Sequence, residues 1–277
     1  MIDNTPWALV LGVSGGSGSA IARALAKDAH LHVFGVHRGN RKADAAEVEA
    51  AIAAADRRCH MRVAGAGTYE EVVAGADELL QVAGPKSVKI LVHSIANASY
   101  GRYVTGDGAW IAPKQIAKTF DCMAHSFLWW VQELVRRDLL APGARLVALS
   151  NPLVDTVVHG WGPVVASKAA LEAYVRYLAD ELGPQGHCVT LLKFSMVETR
   201  AVQVAFSAEA WARFRREAVA MMPCRRLCEL DEVAAMVVAL VGEVGTWFNG
   251  CTIDYTGSQN RSLLDYTFHP ERRKDYE

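Results

Sequence analysis

The chain has 277 residues, 51% of them hydrophobic and 21% charged, with a formal net charge of −1. Length and balance suit a globular domain with a large core and argue against a disordered chain. The near-zero net charge gives no general pull toward nucleic acid or an anionic membrane.

In chain order, residues 7–11 form a short apolar run that meets a Gly-rich turn. The pattern then predicts a helix over 19–29, a strand over 32–36, a helix over 44–56, a strand over 60–63 and a helix over 69–82. A strand follows at 88–92, then one long helix over 114–139 that carries Trp129 and Trp130. The remaining elements are strand 145–149, helix 165–182, strand 189–194, helix 231–240 and strand 252–255. Strands alternating with helices imply a parallel sheet covered on both faces, with right-handed crossovers. No linker or repeat divides the chain, so residues 1–277 are expected to form a single α/β domain. Two stretches lack the alternation, 97–113 and 199–223. The second is amphipathic and helical in pattern and is expected to serve as a lid. The charged tail, 270–277, is expected to fray or to join an oligomer contact.

Six cysteines lie scattered at 59, 122, 188, 224, 228 and 251, the usage of free thiols in a reducing compartment. Cys224 and Cys228 form a lone C-x3-C, and zinc requires two further ligands, so no metal site is expected. Met1 to Pro6 has no basic leader character, and no run reaches the roughly 18 apolar residues of a membrane span. The expectation is a cytoplasmic protein with neither nucleic acid nor membrane as partner.

The turn reads Gly12-Val13-Ser14-Gly15-Gly16-Ser17-Gly18-Ser19 between an apolar strand and an Ala-rich helix. Glycines there let backbone approach a pyrophosphate, and the helix start offers free N–H donors and a favourable dipole. Ser14, Ser17 and Ser19 add hydroxyls. A carboxylate at the end of the second strand would hold the ribose 2′-hydroxyl of NAD, but that strand ends Gly35-Val36-His37-Arg38, followed by Arg41 and Lys42. Arg38 can pair with a 2′-phosphate, which favours NADP(H) over NAD(H). The plainer alternative is a solvated basic loop.

The spacing Gly12-x3-Gly16-x-Gly18 resembles the short-chain dehydrogenase/reductase superfamily. Leu91-Val92-His93-Ser94-Ile95-Ala96-Asn97-Ala98 is similar to the segment after strand four in the branch that contains enoyl-acyl-carrier-protein reductases. Residues 167–177 with Leu182-Gly183 resemble that branch's active-site helix, and 223–234 its late segment. The resemblance implies a Rossmann-type, doubly wound parallel sheet and an NAD(P)-dependent oxidoreductase. It implies that Gly12, Ser14, Gly18 and Ser19 hold pyrophosphate and that Ser94 and Ala96 lie along the ribose and adenine. It further implies that Lys168 bonds the nicotinamide ribose, Val197 the carboxamide and Thr199 a phosphate. A homodimer or homotetramer, with a small-molecule or acyl-thioester substrate, is implied in the same way.

The chain departs from the family at the proton donor. The tyrosine four residues before the lysine is Val164 here, and the enoyl reductase tyrosine seven before it is Trp161. A second tyrosine of that branch, after strand five, is Asn151. Candidate donors are therefore Asn151, Ser150, Trp161 through its N–H, and His159. Asp155, Tyr100 and Tyr103 lie on nearby segments. Each has a plainer reading: Ser150 and Asn151 end a strand, His159 is a surface residue, and Trp161 fills space or walls a flat substrate. Three functions follow. The first is NADPH-dependent reduction of an enoyl thioester or related α,β-unsaturated carbonyl compound in a specialised pathway. The others are ketone or aldehyde reduction (or alcohol oxidation), and a non-catalytic NADP-binding sensor or scaffold.

Overall fold

A computed structural model describes residues 4–65, 67–199 and 207–259. The seven strands are β1 (Trp7–Leu11), β2 (His32–His37), β3 (Cys59–Val63), β4 (Val88–His93), β5 (Leu140–Ser150), β6 (Cys188–Phe194) and β7 (Thr252–Tyr255). They form one all-parallel sheet in the order β3-β2-β1-β4-β5-β6-β7. The helices are α1 (Gly16–Lys27), α2 (Lys42–Ala54), α3 (Tyr69–Ala83), α4 (Pro113–Phe120), α5 (Ser126–Arg136), α6 (Gly162–Leu182), α7 (Ala208–Met221) and α8 (Leu230–Val241).

Side chains alternate across a strand, so each buried strand feeds two cores. Leu9 and Leu11 of β1 join Phe34, Leu91 and Leu146 beneath Trp130 of α5 and Leu171 of α6. Ala8 and Val10 join Val33, Val92 and Val147 beneath Ile21 of α1, Ile52 of α2 and Val237 of α8. Between β1 and β4 the strand order reverses, and the crevice at their carboxyl ends is where this sheet type takes ligands. No helix among the described residues is long and apolar enough to cross a membrane.

Several elements differ in their bounds from the sequence expectation, and three of them bear on the site. Helix α1 starts at Gly16 rather than 19, so Gly16, Ser17 and Gly18 belong to its first turn instead of preceding it. The long helix expected over 114–139 is interrupted by a π turn, Asp121–His125, between α4 and α5. There the Ser126 hydroxyl donates to the Cys122 carbonyl at 2.8 Å and lies 2.8 Å from His93 Nε2 on β4. The helix ends at Arg136, where Asp138 takes φ +52 and the Leu139 N–H reaches back to the Leu134 carbonyl at 2.9 Å. That backward bond closes the helix and releases the chain into β5. Strand β5 begins at Leu140, earlier than expected, through a register shift around Pro142-Gly143. Lys89 Nζ supports the irregularity by donating to the carbonyls of Pro142 and Gly143. The lid segment contains α7, preceded by residues 200–206, which lie outside the described residues, as does the tail at 270–277.

Candidate active site

The Gly-rich turn is held by close backbone approach. Gly12 has φ +87, its N–H donates to the Val36 carbonyl at 2.9 Å, and a Cβ there would stand 2.2 Å from the Ser94 carbonyl oxygen. A Cβ on Gly18 would stand 2.2 Å from the Gly12 carbonyl oxygen and 3.3 Å from Ser94 Oγ. Ser94 is tied to the end of β1, its N–H donating to Leu11 at 2.9 Å. Across the turn, the Thr199 methyl would lie 3.3 Å from a Cβ on Gly16. The structure thus brings Gly12, Gly16, Gly18, Ser94 and Thr199 together. Gly15 caps α1 without a side-chain bond and no acid occupies the first turn, so its N–H groups and dipole face the crevice uncompensated. Ser14 and Ser17 are buried beside them, while Ala96 is exposed beyond β4. Val197 is buried, with its backbone pairing to Cys228 in a parallel bridge.

Past the end of β2, Arg38 is exposed. His37 is buried, which lowers its pKa, and its Nδ1 accepts from the Gly39 N–H at 3.2 Å. Arg41 comes closer to the turn than the sequence indicates: its Nη1 would lie 2.6 Å from a Cβ on Gly15. Asp44 holds it from the side at 3.9 Å. Arg41 is the functional candidate that sequence reasoning passed over, because only the fold of the β2–α2 connection carries it back to Gly15.

Lys168 lies on α6, 4% exposed, with Nζ donating to the Leu149 carbonyl at 2.7 Å. Burial brings its pKa down to about 8. Beneath it, His93 is fully buried; desolvation and then the Lys168 charge bring its pKa down to about 3, so the ring is neutral at pH 7. Ser150 is also buried, and its Oγ has no hydrogen-bond partner. Such an orphaned donor at the carboxyl end of a strand, with a cradle that any Cβ would fill, fits a dinucleotide.

The other proton-donor candidates separate. Asn151 caps the turn Pro152–Asp155, its Oδ1 accepting from the Leu153 N–H at 3.0 Å. This is the strand-ending role, and it leaves the amide NH2 as a donor. Asp155 pairs with Lys193 Nζ at 2.6 Å on the exposed side of the same turn. His159 is exposed on the loop before α6. Trp161 caps α6 and meets Tyr100 edge to face at 4.9 Å. Val164 is buried with Cys122 and Met123, and Ile95, Ala98 and Trp161 pack against this cluster. An apolar contact therefore occupies the position one helical turn before Lys168.

A parallel doubly wound sheet, a glycine cradle at its switch point and a buried lysine on the helix after β5 define a nucleotide-dependent oxidoreductase of the short-chain type. Residues 12–257 match the profile described as enoyl-(acyl carrier protein) reductase, and the chain belongs to that family of short-chain dehydrogenases/reductases. It is similar to 1-cyclohexenylcarbonyl-CoA reductase of Streptomyces collinus, with 24% identity over 92% of this chain and 87% of that protein. The match to Dehydrogenase OXI1 of Cochliobolus heterostrophus has 32% identity but spans 43% of this chain and 51% of that protein. The NADH-dependent enoyl-[acyl-carrier-protein] reductase FabI of Escherichia coli is 26% identical over 60% of this chain and 62% of that protein. Among solved structures, a short-chain dehydrogenase from Burkholderia cenocepacia J2315 in complex with NADP superposes with a TM-score of 0.79. It is 28% identical over 93% of this chain and 98% of that one. The protein is accordingly an NAD(P)-dependent oxidoreductase.

Proposed function

We propose that this protein uses NADPH to reduce a conjugated enoyl thioester, or a related α,β-unsaturated carbonyl compound, without the family's tyrosine acid. The observation that carries this reading is Val164, buried among Cys122 and Met123 where an acid would stand. Reducing a ketone leaves an alkoxide that needs a strong proton donor at once. Hydride addition to the β-carbon of an enoyl thioester leaves a delocalised enolate, which hydrogen bonding can hold until water protonates it. The Asn151 amide and the Trp161 indole N–H are donors of that kind.

The nicotinamide, when bound, supplies the hydride. Gly12, Gly18 and the first turn of α1 would hold the pyrophosphate, with Ser14, Ser17, Ser19 and Thr199 around it. Lys168 keeps N–H groups beyond its bond to Leu149 that would serve the nicotinamide ribose. Val197 offers backbone on the same side.

The preference for NADPH rests on Arg38 and Arg41 and on the lack of a carboxylate at the end of β2. Charge-assisted bonds to a 2′-phosphate are worth about 1.5–3 kcal/mol, so Arg38→Ala with Arg41→Ala is expected to weaken NADPH binding about 10- to 100-fold. NADH binding should change by less than about threefold, because that ribose carries no phosphate to pair. Fluorescence titration reads both affinities, and equal losses would contradict the 2′-phosphate assignment.

The reaction is tested by following NADPH absorbance with crotonyl and longer enoyl thioesters beside ketone and aldehyde panels. Turnover confined to the carbonyl panels would refute it.

A further inference from the structure

We infer that the acyl group taken by this site carries a planar aromatic ring, an aryl enoyl group, bound against the Tyr100–Trp161 pair. The inference rests on the enoyl reading and names its substrate class. Of eleven large apolar side chains exposed among the described residues, six are Tyr100, Tyr103, Val104, Trp110, Val157 and Val158. All six belong to two segments, 97–112 after β4 and 151–161 after β5, which are joined by the Gly101–Gly160 bond and pack through Ala98 and Trp161 on the Val164 cluster. Exposed apolar side chains concentrated on two joined segments point to a binding surface rather than ordinary scatter.

The wall is fixed before any ligand arrives. The Gly101 N–H donates to the Gly160 carbonyl at 2.9 Å, joining the two segments, and the Ile111 N–H closes the first on the Arg102 carbonyl at 3.0 Å. Tyr103 lies so close to the backbone that a Cβ on Gly162 would stand 2.4 Å from its ring. The Trp110 indole N–H is held by the Thr105 carbonyl at 3.1 Å. Tyr100 and Trp161 meet at 61°, and Tyr100 keeps 58% of its surface exposed. An edge-to-face pair leaves ring surface open for a third ring, which gains a quadrupole interaction that a flexible alkyl chain does not. Because the wall is rigid, a rigid acyl group also loses less conformational freedom on binding.

The test is calorimetric titration of the full chain, saturated with NADP+, with the N-acetylcysteamine thioesters of cinnamic and crotonic acid. Binding is read without turnover. Cinnamoyl thioester is expected to bind at least about 10-fold more tightly than crotonyl, and Tyr100→Ala to reduce that ratio to within about threefold. NADPH affinity serves as the fold control for the variant. Equal affinities, no binding of either thioester, or a preference that survives both Tyr100→Ala and Trp161→Leu would overturn the inference. So would a Tyr100→Ala variant that changes oligomeric mass while thioester binding stays the same, which would assign the patch to a second copy of the chain. The two readings fail separately. Binding preference without turnover sinks the enoyl reaction and leaves the ring site, whereas crotonyl turnover with equal binding does the reverse.

Discussion

Lys168→Met is expected to cut substrate-dependent NADPH oxidation at least about 100-fold while leaving the protein folded, because the role proposed for the amine is to orient the nicotinamide ribose and its loss removes no hydrophobic packing. A second readout separates this role from a structural one. Burial brings the Lys168 pKa down to about 8 from an ordinary 10.5. Between those values the unfolded chain holds a proton that the folded chain has released. Stability is therefore gained as pH rises from 8 to 10.5, and is lost as pH falls back through the folded pKa. The shift corresponds to about 3 kcal/mol at full effect. Urea unfolding of wild type and Lys168→Met should show wild type gaining on the variant across that window and holding a constant offset below it. Parallel stabilities from pH 7 to 10.5 would mean that the amine is not buried as described.

Gly12→Ala should remove cofactor binding altogether and cost about 3 kcal/mol or more of stability. Its φ of +87 strains any L residue, and the added Cβ would stand 2.2 Å from the carbonyl oxygen of Ser94, a residue tied to the end of β1 by its N–H bond to Leu11. Gly16→Ala is the informative comparison. Its φ of +53 lies in the left-handed region, but the new methyl meets only the Thr199 methyl, at 3.3 Å. That variant should cost about 1 kcal/mol and retain measurable NADPH binding. Denaturant melts and fluorescence titration rank the two, and equal damage at both sites would show that crowding against Ser94 is not what fixes the cradle.

Much of this architecture is written locally in the chain. Strand β1 has the bounds its apolar run suggests, because a strand buried in a parallel sheet reads as a continuous hydrophobic segment. The turn from Gly12 to Ser19 was legible for a similar reason: glycine spacing, a strand before and a helix after are all local. What escaped is set by partners distant in sequence. The π turn at Asp121–His125 depends on His93, which meets Ser126 from another layer of the fold. Arg41 reaches Gly15 only after the β2–α2 connection folds back. His159, a candidate by residue type, is exposed on its loop, and no periodicity in its surroundings distinguishes that from an inward-facing position. The Gly101–Gly160 bond joins two segments that sequence alone leaves as separate irregular stretches.

The family's catalytic pattern is retained at Lys168 and lost at Val164, and this combination separates the readings of function. A lysine held in burial at an energetic cost, beside an intact glycine cradle, favours a working reductase over a passive cofactor binder. Conjugate reduction by this tyrosine-free site is read by the rate of NADPH consumption with crotonyl and cinnamoyl thioesters against saturated thioesters, ketones and aldehydes. Consumption is expected with the enoyl thioesters, with one equivalent of saturated thioester formed per NADPH, and is expected to be lost in Lys168→Met. Tight NADPH binding with no consumption on any enoyl thioester, or consumption on ketones and aldehydes alone, would contradict it.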